Sequence, residues 1–235
     1  MSDLPGGTSV SRETAALIEH YSAYPDLLGY VDILVGVGVE RGVVGPREVP
    51  RIWPRHIANC AVVAQEARTE IPDGSSVADV GSGAGLPGLV WAIVRPGLTV
   101  TLIEPLLRRA TFLNEVVDEL GLAGRVHVLR VRAEDVRAVE FDVVTARAVA
   151  RLDRLAAWTL PLVRIGGLVV ALKGTAAQAE ASEARVVIRR HGGQDPVIRH
   201  FGTGVVDPPT TAVLIRRTGS GTARTGPGRR RDQRV

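Results

Sequence analysis

The chain has 235 residues, 45% of them hydrophobic, which is enough to bury the core of one α/β domain with an extension. Its one cysteine, Cys60, excludes a disulfide framework and a cysteine-rich zinc site. The net charge is +4, but seven arginines and one acid lie between Arg216 and the last residue, so the rest of the chain is slightly acidic. Such a basic segment either binds a polyanion through its phosphates or is a solvated tail.

The beginning of the chain carries no basic start followed by an apolar run, and no apolar stretch reaches the ~20 residues of a membrane helix. We therefore expect a cytoplasmic protein without membrane contact. Residues 1–70 show helical spacing of apolar side chains at 13–24, 26–40 and 55–70. This part is predicted to be an N-terminal helical extension.

From Ser75 onwards, short β-branched runs alternate with helical segments, which predicts an α/β domain over residues 71–218. The predicted parallel strands are 77–80, 99–104, 126–131, 142–146 and 168–172. Predicted helices between them are 86–94, 106–120, 134–136 and 152–162. Strands 197–200 and 211–216 are predicted to close the sheet antiparallel, and residues 219–235 to form a disordered Arg-rich tail. The expected architecture is a doubly wound, mostly parallel sheet.

A glycine-rich turn, DVGSGAGLPG at residues 79–88, follows the first strand of this domain. Glycines such as Gly81, Gly83 and Gly85 allow φ > 0 and let a ligand approach where a Cβ would clash. In an open α/β sheet this position binds nucleotide-like ligands, so NAD, FAD and S-adenosylmethionine are all candidates.

Three features favour S-adenosylmethionine over a dinucleotide. Asp79 would repel a pyrophosphate and attract an ammonium group, and Pro87 lacks an N–H that a pyrophosphate would use. Glu104, at the end of the next strand, can take ribose hydroxyls, which suits both cofactors. Asp79 could instead cap the turn or the following helix, and Glu104 the helix near Leu106. On these residues alone an NAD-binding oxidoreductase or a non-catalytic RNA-binding protein also fits.

The chain resembles the RsmG family of bacterial 16S rRNA (guanine-N7)-methyltransferases, also called glucose-inhibited division protein B. The matching segments, in the family's order, are 55–60 (RHIANC), 79–88 (DVGSGAGLPG), 132–134 (RAE), 145–148 (TARA) and 172–174 (LKG). The resemblance implies a Rossmann-like class I methyltransferase that uses S-adenosylmethionine to methylate N7 of a guanine, position 527, in 16S rRNA. The implied partner is 16S rRNA, free or in the 30S subunit.

The resemblance also implies which residues bind the cofactor. They are Gly81, Leu86, Ala133, Glu134 and Arg147, to which the turn residues Gly83 and Gly85 and the carboxylates Asp79 and Glu104 are added from the sequence pattern.

Arg147 and Lys173, the only lysine in the chain, are predicted to hold the guanine O6 or an RNA phosphate as the catalytic residues. An ion pair of Arg147 with Asp142 or Asp153, or a Lys173 that only reaches solvent, would also fit. His56 and Cys60 are four residues apart, but without further ligands nearby we expect no metal site. We expect a monomer.

Overall fold

A computed structural model describes residues 11–137 and 139–219. Its helices are α1 (Arg12–His20), α2 (Pro25–Val35), α3 (Val37–Glu40), α4 (Ala58–Glu66), α5 (Gly88–Val94), α6 (Leu107–Glu119), α7 (Leu152–Thr159) and α8 (Ala177–Arg190). Its strands are β1 (Ser76–Val80), β2 (Thr99–Ile103), β3 (Val126–Leu129), β4 (Phe141–Arg147), β5 (Val163–Lys173), β6 (Val197–Phe201) and β7 (Thr210–Arg216). A 3-10 segment (Pro46–Arg51) and a π-helical turn (Ile52–Ile57) lead into α4, and 3-10 turns cover Ala133–Asp135 and Leu160–Leu162.

The seven strands form one sheet in the order β3-β2-β1-β4-β5-β7-β6. Strands β1 to β5 are parallel to one another, and β7 is antiparallel to both of its neighbours, β5 and β6. The chain runs outward from β1 to β3 and then returns to β4 on the other side of β1. This reversal makes the carboxyl ends of β1 and β4 the place where such sheets bind ligands.

Alternate residues of each strand face opposite sides of the sheet, and each side has its own core. Val77 and Val143 face α4, α5 and α6, whereas Ala78 and Val144 face α7 and α8. The strands are apolar on both faces because helices cover both of them. The same alternation determines which face of the sheet the side chain of each residue at a strand end points to.

The N-terminal helices share the first of these cores with the sheet. Leu17 and Tyr21 of the α1 region belong to the same buried cluster as Phe201 and Leu214 near the other end of the chain. The Oε1 atom of Glu66 accepts a hydrogen bond from the Gly202 N–H at 2.9 Å, which joins α4 to the loop between β6 and β7. The division of the chain at residue 70 stays a prediction, as does the separate tail, whose residues 220–235 lie outside the described part.

The predicted doubly wound fold is confirmed, with several corrections to its elements. Helix α8 was not predicted, and the predicted helix 26–40 is interrupted at Gly36. Strand β5 begins at Val163 rather than 168, and β3 ends at Leu129 rather than 131. Among the described residues no helix has the length and apolar character needed to cross a membrane.

Candidate functional site

The turn after β1 depends on glycine, for its backbone angles at three positions and for lack of space at Gly81 and Gly85. Gly81, Gly83 and Gly85 have φ values of 70°, 59° and 105°, which residues with a Cβ rarely adopt. A Cβ on Gly85 would lie 2.3 Å from Cδ1 of Leu89. The Tyr30 hydroxyl donates a hydrogen bond of 2.7 Å to the carbonyl oxygen of Ala84. Helices α2 and α5 therefore hold this turn in one shape.

Glu104 connects the end of β2 to the same turn. Its Oε2 atom accepts from the Gly83 N–H and its Oε1 atom from the Leu106 N–H, both at 3.0 Å. The side chain is buried, yet it borders a cavity. Each carboxylate oxygen keeps capacity for a further hydrogen bond, so both the helix-capping and the ligand-binding interpretation of Glu104 fit this geometry.

The cavity lies at the carboxyl ends of β1 and β2 and has a volume of about 380 Å³. This is in the range of pockets that hold small cofactors. Of the predicted cofactor residues it brings together Gly81, Glu104, Ala133 and Glu134. The predicted residues Asp79, Gly83, Gly85, Leu86 and Arg147 are not part of its lining.

Other residues that border the cavity were not among the predicted cofactor residues, and they include Arg109, Arg132, Val149 and Trp158. Val149 covers Gly81, since a Cβ there would lie 2.8 Å from Cγ2 of Val149. It follows Ala148, whose φ of 55° is unusual for a residue with a side chain. A cation–π contact of 5.4 Å places Arg154 over Trp158. Helical spacing alone cannot tell a Trp that borders a cavity from one in the core.

Asp79 lies fully buried beneath the turn. Its Oδ2 atom accepts from the Gly88 N–H at 3.0 Å, so it holds the beginning of α5 as the capping interpretation predicts. Its Oδ1 atom has no hydrogen-bond partner among the described residues. Burial raises the pKa of this carboxyl group to about 7. An unpartnered buried oxygen at this point can accept a donor from a ligand above the turn.

Arg147 ends β4 on the side of the sheet that faces α4, as Asp79 does. Its guanidinium donates to the carbonyl oxygen of Arg55 at 3.2 Å and lies 2.5 Å from Nδ1 of His56. The sulfur of Cys60 is 3.8 Å away, and burial raises the pKa of this thiol to about 11. In the described part of the chain Arg147 makes no ion pair with Asp142 or Asp153. It bridges β4 to the segment before α4.

Lys173 lies on the opposite side of the sheet from Arg147. Arg147 pairs with Leu172 in the register of β4 and β5, so the next residue, Lys173, points to the other face. Its ammonium donates to the Ala150 carbonyl at 2.6 Å and to Oε2 of Glu180 at 2.8 Å. The structure therefore does not bring the two predicted catalytic residues together.

Glu180 of α8 completes this arrangement. Its Oε2 atom also accepts from the Leu152 N–H at the beginning of α7, at 2.8 Å. Although burial raises the pKa of Glu180, the hydrogen bonds from Lys173 and Leu152 outweigh it and keep the value below the usual range. Together the two side chains fasten the loop that carries Val149.

Within residues 11–137 and 139–219, no three His, Cys, Asp or Glu side chains are grouped so as to hold a metal ion. His56 and Cys60 both contact Arg147 instead.

A sequence model of the GidB family, described as rRNA small subunit methyltransferase G, matches residues 23–206. The chain is 50% identical over 225 residues to a ribosomal RNA small subunit methyltransferase G from Salinispora tropica, and the match covers 91% of each. A protein with the same name from Thermobifida fusca is 54% identical over 187 residues, which are 79% of this chain and 77% of that protein.

Two solved structures have a similar fold. The S-adenosylmethionine-dependent methyltransferase SibL, in its apo form, matches with a TM-score of 0.57 and 16% identity over 88% of this chain and 74% of its own. A protein from Methanococcus maripaludis described as a putative S-adenosyl-L-methionine-dependent methyltransferase matches with a TM-score of 0.56 and 11% identity. That match covers 73% of this chain and 91% of the other. These two comparisons confirm the Rossmann-like class I methyltransferase fold.

The sequence matches decide between the functions that the glycine turn alone left open. The matched residues 23–206 include every predicted site residue, from Asp79 to Lys173. The enzyme is a methyltransferase rather than an oxidoreductase or a non-catalytic RNA-binding protein, and its substrate is ribosomal RNA. The chain belongs to the GidB family of small-subunit rRNA methyltransferases, whose methyl donor is S-adenosylmethionine.

Proposed function

We propose that this enzyme methylates N7 of a guanine in 16S rRNA. Two carboxylates near the turn are engaged by the protein itself: Glu104 accepts two backbone N–H groups, and Glu48 contacts His56. The imidazole of His56 in turn lies between Glu48 and Arg147. Glu104, Glu48 and His56 are therefore engaged by other protein groups, and Asp79, whose Oδ1 has no partner among the described residues, is fully buried and outside the cavity lining. None of them is placed as a free general base, and guanine N7 needs none because it already presents a lone pair in the major groove. This observation carries the choice of N7.

The residues around the turn fit the methyl donor. When bound, S-adenosylmethionine supplies a methyl group on a positively charged sulfur. Glu104 has acceptor capacity for ribose hydroxyls, and Ala133 and Glu134 border the cavity where an adenine ring would pack. The unpartnered Oδ1 atom of Asp79 suits an ammonium group, and so does the negative charge that this side chain carries above about pH 7.

The remaining predicted cofactor residues shape the turn rather than border the cavity. Gly83 donates its N–H to Glu104, and Gly85 packs against Leu89. Leu86 is buried in the core beside α5. We propose that these three residues act by fixing the backbone path against which the cofactor lies.

On the side of the guanine, we propose that Arg147 holds O6 or a phosphate, because its cationic group lies on the α4 side of the sheet, close enough for its charge to act on Asp79 beneath the turn. Lys173 is predicted from the sequence for the same task. Since its ammonium contacts Ala150 and Glu180, we propose that it acts by fixing the loop that bears Val149. The work of the protein is then orientation, which can contribute roughly 7–11 kcal/mol to a reaction between two bound partners.

A methyl-transfer assay tests the proposal. Purified enzyme is incubated with tritiated S-adenosylmethionine and an RNA substrate. Two parallel reactions contain either naked 16S rRNA or 30S subunits that lack the modification. We expect one labelled guanine that becomes sensitive to borohydride and aniline cleavage, the reaction of an N7-methylated base. Label on an exocyclic amine or on ribose, which resists this cleavage, would contradict the choice of N7.

We further propose that the enzyme acts as a monomer in the cytoplasm, where its rRNA substrate would be found. Size-exclusion chromatography with light scattering, with and without 30S subunits, measures the oligomeric state. A stable dimer that is needed for activity would contradict this part of the proposal.

A further inference from the structure

Three side chains form a continuous hydrogen-bonded chain between the segment before α4 and the end of β4. Oε2 of Glu48, in the 3-10 segment, lies 2.8 Å from Nε2 of His56, in the π-helical turn. Nδ1 of the same imidazole lies 2.5 Å from a terminal nitrogen of Arg147. The side chain of His56 is 20% exposed and that of Glu48 is 39% exposed. The imidazole is thus enclosed between one acceptor and one donor.

The chemistry of the two neighbours fixes the protonation of His56. A guanidinium can only donate, so Nδ1 must offer its lone pair to Arg147. An ionised carboxylate can only accept, so Nε2 must carry the proton and donate it to Glu48. The imidazole is therefore neutral and has one tautomer. Burial and the charge of Arg147 hold the pKa of His56 below its usual value, which agrees with a neutral ring.

This arrangement decides where the Arg147 guanidinium points. One terminal nitrogen faces His56, and the other donates to the Arg55 carbonyl and faces Cys60. All of these contacts come from the π-helical turn and the first residues of α4, and π-helical turns occur frequently at functional sites. Without the acceptor at Nδ1, the hydrogen-bond partners left to the guanidinium within residues 11–137 and 139–219 would be a neutral carbonyl and a thiol.

We propose that His56, held in its Nε2–H tautomer by Glu48, is the positioning residue that fixes the Arg147 guanidinium at the carboxyl end of β4. The proposal rests on the proposed role of Arg147 in the site. It assigns to the segment before α4 a part in the reaction, namely the orientation of a group that comes from the sheet.

Two amide substitutions separate the two hydrogen bonds of the imidazole. His56→Asn places an amide at the position of Nδ1, where its oxygen can accept from Arg147, and no longer reaches Glu48. His56→Gln places the amide near Nε2, where it can donate to Glu48, and removes the acceptor for Arg147. The two variants are alike in polarity and differ in which neighbour they reach.

The affinity for S-adenosylhomocysteine, measured by calorimetry, and single-turnover methylation of rRNA are the readouts. We expect His56→Gln to lose about tenfold in at least one of them, as for the removal of a hydrogen bond to a charged group, and His56→Asn to stay within about threefold of the unmodified protein. Equal loss in both variants, or no loss in His56→Gln, would overturn the positioning role. Urea unfolding of both variants verifies that they are folded.

Nitrogen-15 NMR of the imidazole tests the tautomer on the unmodified protein, without any substrate. We expect a neutral ring with the proton on Nε2 near pH 7. A proton on Nδ1, or an imidazolium, would overturn the proposal even if a variant failed to fold. Neither the NMR spectrum nor the calorimetry depends on which RNA atom receives the methyl group, so a failure of the N7 assignment is recognised separately in the cleavage assay.

Discussion

Asp79 couples the stability of the protein to pH through its buried carboxyl group. Its pKa is raised to about 7 from 3.8, so the folded protein binds this proton more tightly than the unfolded chain does. The stabilisation from this group is therefore complete below pH 3.8 and is lost as the pH rises through 7. A carboxylate that is ionised at higher pH also attracts an ammonium ligand more strongly.

Asp79→Asn should remove the pH dependence of stability that comes from this group and its attraction for an ammonium ligand, while it keeps an acceptor for the Gly88 N–H. Relative to the unmodified protein, we expect the variant to gain unfolding free energy, on the order of 1–3 kcal/mol, between about pH 5 and pH 8. The affinity of the unmodified protein for S-adenosylmethionine should rise over the same interval, and that of the variant should not. Urea titrations and calorimetry at both pH values measure these quantities. A constant stability difference across the interval would refute the shifted pKa.

Gly81 and Gly83 both require φ > 0, but only Gly81 has a side chain over it. Gly81→Ala and Gly83→Ala should share a backbone cost of about 1–2 kcal/mol. Gly81→Ala should cost more, because its Cβ would lie 2.8 Å from Val149, whereas the nearest atom at Gly83 is 3.8 Å away. Adding Val149→Ala should recover the difference in Gly81→Ala and not in Gly83→Ala. Urea unfolding of these four variants and of Val149→Ala alone measures it, and additive effects in both pairs would exclude the contact.

The sequence predicts which residues lie at the end of a strand better than it predicts contacts between residues that are far apart in the chain. Asp79, in the last two residues of β1, and Glu104, directly after β2, are predictable because an acid at the end of a buried strand lies at the carboxyl edge of the sheet. The contact of His56 with Arg147 joins residues 91 positions apart, and no spacing within the sequence indicates it. The separation of Arg147 from Lys173 was predictable in principle, because it follows from the register of β4 and β5 and the alternation of side chains along a strand.

At the scale of elements, the loop between β4 and α7 depends on a strand and a helix that come later in the chain. Lys173 of β5 and Glu180 of α8 fix this loop at Ala150 and Leu152, and Val149, just before these anchors, covers Gly81. The ion pair is largely shielded from solvent, with side-chain exposures of 10% and 16%. It is therefore screened by salt less than a surface pair would be.

Lys173→Met retains most of the volume of the side chain and removes both of its hydrogen bonds. We expect a loss of about 2–3 kcal/mol in unfolding free energy, because the Ala150 carbonyl and Glu180 are each left without a charged donor. The affinity for S-adenosylhomocysteine should fall as the loop loosens. Lys173→Arg retains the charge but not the compact ammonium. It should therefore recover only part of the unfolding free energy and of the affinity for S-adenosylhomocysteine. Full stability of Lys173→Met would show that the loop is held by other contacts.

Helix α8 and the limits of β5 show why some elements were not predictable. Helix α8 is rich in alanine and charge, and its buried positions are mainly alanines, so its apolar periodicity is weak. Strand β5 begins at Val163 and passes through Gly166 and Gly167, where φ reaches 85° at Gly166. In the sequence, two adjacent glycines predict a turn. In the structure they lie within β5, where the pairing of β4 and β5 changes register. The short β-branched strands β1, β2 and β4, by contrast, were predictable from their runs of apolar residues.

At the scale of the whole molecule, the net positive charge of the sequence is concentrated at one end. Residues 219–235 contain five arginines and one aspartate, so the chain without them has no net charge. Deleting these residues should lower RNA affinity at low salt. The slope of the logarithm of the binding constant against the logarithm of the salt concentration should become shallower by roughly 0.7–0.9 for each phosphate that is no longer neutralised. Filter binding across a salt series measures this.

Replacing the five arginines by lysine or by glutamine distinguishes charge from length. The lysine variant should bind RNA nearly as the unmodified protein does, and the glutamine variant should resemble the deletion. The affinity for S-adenosylhomocysteine should be the same in all of them. Unchanged RNA affinity in the deletion would assign the segment to solvent.

The joining of the N-terminal helices to β6 and β7 also has a consequence for biosynthesis. Leu17 and Tyr21 emerge from the ribosome first, yet their core includes Phe201 and Leu214, which are translated near the end of the chain. At roughly 5–20 residues per second, these apolar helices wait on the order of 10–40 seconds for the strands that complete their core. During this interval a nascent chain that has reached β5 exposes the surface that β7 will cover. We expect it to be bound by chaperones and cut readily by proteases until β7 has left the exit tunnel.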